Sequence, residues 1–187
     1  HFMEKEIFEQ PVAVLNTIDG RVSGDDVLEN IFGIGSSDIF CKVKRIQIVA
    51  CGTSLHAARV AANWFSAISE LPTQTDYASE YRYRNPHVDE DTLFVTISQS
   101  GETADTLAAL KYAKEKDFLS TLTICNVPTS TIARESEFSI FTNAGPEIGV
   151  ASTKAFTTQL VALMLLALSL AKSRSRTVSY THLTLPT

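Results

Sequence analysis

Thr92-Leu93-Phe94-Val95-Thr96-Ile97 is an unbroken run of apolar and β-branched residues that passes through Ser98-Gln99-Ser100-Gly101 into a helical pattern over residues 103–116. A run without polar alternation is what a strand covered on both faces requires. The same unit recurs along the chain. Ile46-Gln47-Ile48-Val49-Ala50-Cys51 is closed by Gly52 and followed by a helical stretch over 55–71, with Trp64, Phe65 and Ile68 on one side. Residues 73–77, 119–124 and 138–141 read as further strands. Residues 78–83 and 132–135 read as short helices, and 152–171 as a long apolar one. Strands alternating with helices at this spacing predict a parallel sheet, because parallel neighbours need long crossovers. The expected fold is α/β, a three-layer α/β/α sandwich around a five-stranded parallel sheet. Its ligand crevice should lie beyond the carboxyl ends of the strands, near a switch in strand order, which brings loops 51–54 and 98–103 together.

The first forty residues are less regular. Residues 7–11 predict a helical turn stopped or begun at Pro11, and residues 12–18 a second short helical stretch. Asp19-Gly20 and Ser23-Gly24-Asp25 are turn signals. The expected organisation is an N-terminal linker and helical segment over 1–40, one α/β domain over 41–172, and a tail over 173–187. The tail has neither helical nor core-strand logic and reads as disordered or foreign. A chain of 187 residues suits one domain with a substantial core.

Composition narrows the partners. The formal net charge of −5 argues against nucleic acid, whose binders carry a basic excess. A single sugar phosphate is compatible with it, since a few backbone N–H groups can hold one phosphate without a basic patch. Cys41, Cys51 and Cys125 have no metal-ligand spacing, and Cys51 and Cys125, at the ends of apolar runs, read as buried reduced thiols. The N-terminus has no signal-peptide pattern, and the apolar stretch 161–171 is too short to span a bilayer. The expectation is no membrane and a cytoplasmic location.

The chemistry concentrates in two loops. Ser98-Gln99-Ser100-Gly101-Glu102-Thr103 joins a buried strand to a helix, so the amides of that helix's first turn face outward as an anion site. Ser98, Ser100 and Thr103 add hydroxyls, and Gly101 allows close backbone approach. The loop lacks the Gly-Lys-Ser/Thr ending of a nucleotide phosphate loop and the three glycines of a dinucleotide fingerprint. The plain alternative is helix capping by Ser98 or Ser100, with Glu102 serving the first turn. Cys51-Gly52-Thr53-Ser54 repeats the arrangement after the first strand. Lys154 opens the long helix, an unfavourable end for a cation, which points to a structural partner such as Glu147. His56 reads as an ordinary helical histidine. Tyr77, Tyr81 and Tyr83 with Arg82 and Arg84 read as a surface or interface cluster.

Three blocks carry a family resemblance: residues 50–54, residues 98–107 and residues 143–157 (Asn143-Ala144-Gly145-Pro146-Glu147-Ile148-Gly149-Val150-Ala151-Ser152-Thr153-Lys154-Ala155-Phe156-Thr157). Together they resemble the sugar isomerase (SIS) domain, a flavodoxin-like fold. More narrowly, they are similar to the first SIS domain of the glutamine:fructose-6-phosphate aminotransferase (isomerizing) family, the glucosamine-6-phosphate synthases, over residues 1 to about 172. The resemblance implies that Ser54, Ser98, Ser100 and Thr103, with Gln99 beside them, bind phosphate. It implies that Thr53, Val150 and Ser152 line the sugar chain and that Cys51 and Gly52 complete the first loop.

The resemblance also implies fructose 6-phosphate or glucosamine 6-phosphate as ligand, no metal, no cofactor, and a homodimer that could use the apolar helix 161–171. That family adds a glutaminase domain and a second SIS domain. The glutaminase's nucleophilic cysteine, and the second domain's carboxylate, histidine and Schiff-base lysine, have no counterpart here. The chain is therefore expected to bind sugar phosphate without turning it over, and no catalytic residue is assigned. Two alternatives stay open: a SIS-type regulatory sensor of sugar phosphates, which should carry a basic helix-turn-helix, and a stand-alone ketose–aldose phosphate isomerase, which should carry its own base.

Overall fold

The computed structural model describes residues 2–174. In chain order the elements are α1 (Phe2–Ile18), β1 (Val22–Ser23), β2 (Asp26–Val27), α2 (Ser36–Phe40), β3 (Arg45–Ala50), α3 (Gly52–Trp64), β4 (Thr73–Tyr77), α4 (Ala78–Tyr81), β5 (Thr92–Ser98), α5 (Ala104–Lys114), β6 (Ser120–Cys125), α6 (Thr131–Glu135), β7 (Phe138–Phe141) and α7 (Lys154–Ser173). The five expected strands form one parallel sheet in the order β4-β3-β5-β6-β7, beside a two-residue hairpin of β1 and β2. The chain steps from β3 outward to β4, then returns past β3 to lay down β5. The switch in strand order therefore falls between β3 and β5, which pair in register with Ala50 opposite Ile97.

Every residue of β5 and β6 is buried, as the unbroken apolar run at 92–97 required. Alternate side chains serve the two faces. Ile46, Ile48, Ala50, Leu93, Val95 and Ile97 join the larger core under α3 and α7, while Val49 and Phe94 join Tyr81, Ala109 and Leu110 under α4 and α5. This is the period-two logic of a strand covered on both sides.

Several local expectations are corrected. Residues 7–18 do not break at Pro11; α1 runs through it. Proline removes the N–H that would donate to the carbonyl four residues back, and Gln10 Nε2 donates to that Ile7 carbonyl at 3.0 Å instead. The helix expected over 55–71 ends at Trp64 and gives way to a π-helical turn, Phe65–Ser69. That turn brings the buried Ser69 hydroxyl to the Ala167 carbonyl of α7 at 2.8 Å.

Tyr81 is core rather than surface, 2% exposed and packed on Phe94 and Tyr112. Tyr77 and Tyr83 are exposed, Arg82 lies over the Tyr83 ring, and Arg84 pairs with Asp76. Cys125 is buried as expected, whereas Cys51 is only partly so and Cys41 is exposed; all three are free thiols. The last helix extends to Ser173, and Arg174 Nη1 donates to the Val43 carbonyl at 2.7 Å. The rest of the expected tail, residues 175–187, lies outside the described residues.

α7 is long and apolar enough to cross a membrane by length and composition. It is instead buried in this domain: Ala162, Leu163, Leu166, Ala167, Leu170 and Ala171 are inaccessible, and the helix packs against α1, α2 and α3. Burial leaves only Val161 and Met164 of 161–171 partly accessible for pairing. Leu166→Ala should lower unfolding free energy by about 2–5 kcal/mol, the usual range for emptying a core leucine site. Urea unfolding measures this directly, and a loss under about 1 kcal/mol would contradict the core assignment of α7.

Candidate functional site

The β3–β5 pairing delivers two strand-to-helix loops to the same end of the sheet. In the first, Cys51 leaves β3 in extended conformation and sits at the N-cap of α3 without a side-chain capping bond. Gly52 and Thr53 follow in the first turn, exposed, and Ser54 is nearly buried.

The second loop is held from inside. Ser98, 3% exposed at the end of β5, accepts the Gly101 N–H at 3.0 Å, and its hydroxyl is 2.9 Å from Thr103 Oγ1. Ser100 Oγ accepts the Glu102 N–H at 3.2 Å. Gly101 adopts φ +67°, and a Cβ there would meet Ser130 Oγ at 2.1 Å, so no other residue fits without displacing α6. The Gln99 carbonyl accepts from Asn126 N, and the Gly101 carbonyl from Ile132 N, which ties the loop to β6 and α6.

Simple capping does not account for these hydroxyls. Thr103 occupies the N-cap of α5 with no side-chain bond to the helix, because its hydroxyl turns back to Ser98. Ser98 and Ser100 brace the loop's own amides rather than the first turn of α5. Those first-turn N–H groups are thus presented at a helix N-terminus, where backbone donors and the helix dipole both favour an anion.

Glu102 serves a helix, but not its own. Its Oε1 accepts the Thr131 N–H at 2.6 Å, at the start of α6. That backbone bond, with Arg134 nearby, holds its carboxyl below the ordinary glutamate range.

The third predicted group lies on the connection from β7 to α7. Asn126, at the exit of β6, organises its start: Oδ1 accepts from Thr142 Oγ1 at 3.0 Å and Ala144 N at 2.8 Å, and Nδ2 donates to the Gly145 carbonyl. Glu147 caps α7, accepting from Thr153 N at 2.8 Å, Ala155 N at 3.2 Å and the Ser152 hydroxyl at 3.3 Å. Val150 is fully exposed.

Lys154 is not the partner of Glu147. It is 4% exposed at the first position of α7, with Nζ 2.7 Å from Glu9 Oε2 of α1. The ammonium holds the Glu9 carboxyl below its usual range. His56 is exposed on α3.

Ser98, Ser100, Gln99 and Thr103 are thus brought together, next to Cys51, Gly52, Thr53 and Ser54 across the switch point. Val150 and Ser152 stand on a separate loop, and no described hydrogen bond joins them to the other two. Beyond the ends of β5, β6 and β7 lies an open groove of about 620 Å³, lined by Gln99, Asn126, Val127, Pro128, Asn143, Gly145, Pro146 and Glu147. Of the predicted residues only Gln99 lines that groove. Asn126 escaped sequence reasoning, although its place directly after a buried strand was the available signal.

Comparison with known proteins shows the family and the fold. The chain is 59% identical over 174 residues to the glutamine–fructose-6-phosphate aminotransferase (isomerizing) of Pseudomonas putida, a match covering 93% of this chain and 28% of that protein. It is 52% identical over 176 residues to the same enzyme of Vibrio vulnificus, covering 94% and 29%. The chain therefore spans less than a third of the length of these curated relatives.

Among solved structures, the C-terminal domain of glucosamine-fructose-6-phosphate aminotransferase from Francisella tularensis superposes with a TM-score of 0.92 at 47% identity, over 95% of this chain and 50% of that one. A glucosamine-6-phosphate deaminase from Thermotoga maritima shares the fold, with a TM-score of 0.72 at 20% identity over 91% and 49% of the two chains. Residues 39–169 match the SIS domain, and the chain belongs to the SIS domain family.

Proposed function

We propose that the chain is the first sugar-phosphate-binding SIS domain of a glutamine–fructose-6-phosphate aminotransferase, and that it holds the phosphate end of a hexose phosphate. The observation that carries this is the β5–α5 loop, where Thr103 turns its hydroxyl to Ser98 and leaves the first turn of α5 without a side-chain cap. The identity to aminotransferases of that name supports the choice of fructose 6-phosphate or glucosamine 6-phosphate as ligand.

In this reading the first-turn amides of α5, with Ser98, Gln99, Ser100, Thr103 and Ser54, receive the phosphate oxygens. Thr53, Val150 and Ser152 face the sugar chain, and Cys51 and Gly52 complete the first loop. The enzyme as a whole acts in the cytoplasm. The chain alone binds without catalysis, because its carboxylate nearest the phosphate loop is already committed. Glu102 is bonded to Thr131 N and held in its charged form, which suits a brace and not a group that must pick up and release a proton. Pairing of two chains finds more exposed apolar surface on α1, at Phe8, Val12 and Leu15, than on the largely buried α7.

Calorimetric titration with fructose 6-phosphate and glucosamine 6-phosphate tests the phosphate site. The wild-type chain should bind, and the Ser98→Ala, Ser100→Ala double variant should bind about tenfold to a hundredfold more weakly, the worth of two hydrogen bonds of ordinary net strength. A folded wild-type chain that binds neither sugar phosphate would sink the reading.

A second expectation concerns pH. The Glu102 carboxyl titrates lower in the folded chain than in the unfolded one. Its stabilising contribution is therefore complete above the unfolded value and is lost as pH falls through the folded one. Glu102→Gln should melt below wild type at pH 7, and the difference in Tm should close on acidification below the ordinary glutamate range. A difference that persists unchanged at low pH would show that charge is not the source.

A further inference from the structure

α1 and Arg21 just beyond it hold the connection between β7 and α7 at both ends and near its middle. Near one end, Arg21 Nη2 donates to the Phe141 carbonyl, Thr17 Oγ1 to the Thr142 carbonyl, and Asn143 Nδ2 to the Asn16 carbonyl. Near the other, Lys154 pairs with Glu9, and Thr157 Oγ1 donates to Gln10 Oε1. Between these ends the connection rises to a tip where Ile148 and Val150 are both exposed.

One side chain secures that tip. Glu6, 3% exposed, accepts Ile148 N at 2.6 Å and Gly149 N at 3.0 Å on Oε1, and its Oε2 lies 3.2 Å from Gly149 N. The fit depends on glycine from the other side as well, since a Cβ on Gly149 would lie 2.5 Å from Glu6 Oε2. A buried carboxylate that pins two consecutive amides fixes the backbone on which the neighbouring side chains stand. Those side chains are not packed into the core: Val150 is fully exposed and Ser152 half-buried.

We propose that Glu6 is a positioning residue for sugar recognition, fixing the loop that presents Val150 and Ser152 to the sugar chain without touching the ligand itself. This rests on the reading that those two residues face the sugar. The phosphate loop has its own supports in Ser98–Thr103, Gly101–Ile132 and Glu102–Thr131, none of which involves α1. Loosening the tip should therefore weaken the grip on the sugar and spare the grip on phosphate. A site residue held loosely by its surroundings loses affinity even when it is still present.

The test titrates the full chain, Glu6→Gln and Gly149→Ala with fructose 6-phosphate and separately with inorganic phosphate. Glu6→Gln keeps the side chain's size and one acceptor oxygen; Gly149→Ala disturbs the same contact from the loop and decides the matter should the first variant fail to fold. Each variant should bind fructose 6-phosphate about tenfold more weakly, a loss of roughly 1.4 kcal/mol, with phosphate affinity unchanged and faster amide exchange at Ile148 and residue 149. Equal losses for both ligands would show a general structural role and overturn the proposal, as would no loss for either. A wild-type chain that binds phosphate but not fructose 6-phosphate would strike the underlying reading, and the proposal with it; that failure shows in the wild-type arm and not in the variants.

Discussion

In-register parallel pairing of β3 and β5 carries everything built above it. With Ala50 opposite Ile97, the chain leaves the sheet at Cys51 and Ser98 side by side, and both loops open helices at the same end. A slip of one residue would turn Ile46, Ile48 and Ala50 away from the core that Leu93, Val95 and Ile97 share. It would also separate the loops. The neighbouring pair adds a polar lock: Thr96 and Thr123 lie opposite each other in β5 and β6 with their buried hydroxyls 2.7 Å apart. Any shift leaves two hydroxyls unpaired in the interior, and an unpaired buried polar group is costly. Register is therefore fixed by apolar burial at the β3–β5 switch point and, between β5 and β6, by hydrogen bonding as well.

The sheet was legible because parallel strands buried on both faces leave an unmistakable composition, and 92–97 shows it most plainly. Helix ends were less so. Pro11 looked like a break, yet Gln10 supplies the donor that the proline lacks, a repair visible only once the side chain is seen to reach Ile7. The partners of charged residues were least legible of all. Glu147 and Lys154 sit seven positions apart on one connection and invite pairing, but Glu147 is drawn to the open amides of α7 while Lys154 finds Glu9 on α1. Contacts across more than a hundred residues leave no local trace. The hydroxyl-rich loop was recognisable by type, but that Thr103 bonds Ser98 and not its own helix required the fold.

The same long-range geometry bears on how an acidic chain could offer the anion site proposed at the start of α5. Lys154 stands within a few residues of Ser152, but its charge is matched by Glu9. Glu102, inside the phosphate loop itself, looks hostile to a phosphate. The structure turns that carboxylate away to Thr131, so its charge serves the loop's attachment to α6. What residues 98–103 otherwise offer is neutral, backbone N–H groups and hydroxyls, with the half-buried Asp105 of α5 as the nearby carboxylate along the chain.

A neutral cradle has a consequence for binding strength. Ser98 Oγ accepts the Gly101 N–H, and a hydroxyl that accepts still has its own proton to give. In the free chain that proton and the Thr103 hydroxyl can satisfy each other. On the proposed function, a phosphate arriving there would replace an existing hydrogen bond and not simply add one, so the net gain per contact would stay near that of an ordinary exchange with water. Binding then depends on summing many modest donors in fixed geometry, with no single cation to anchor the ligand. Such a site would gain affinity through the rigidity of its supports, so β3, α6 and the loop's own amides would matter as much as the hydroxyls proposed to meet the ligand.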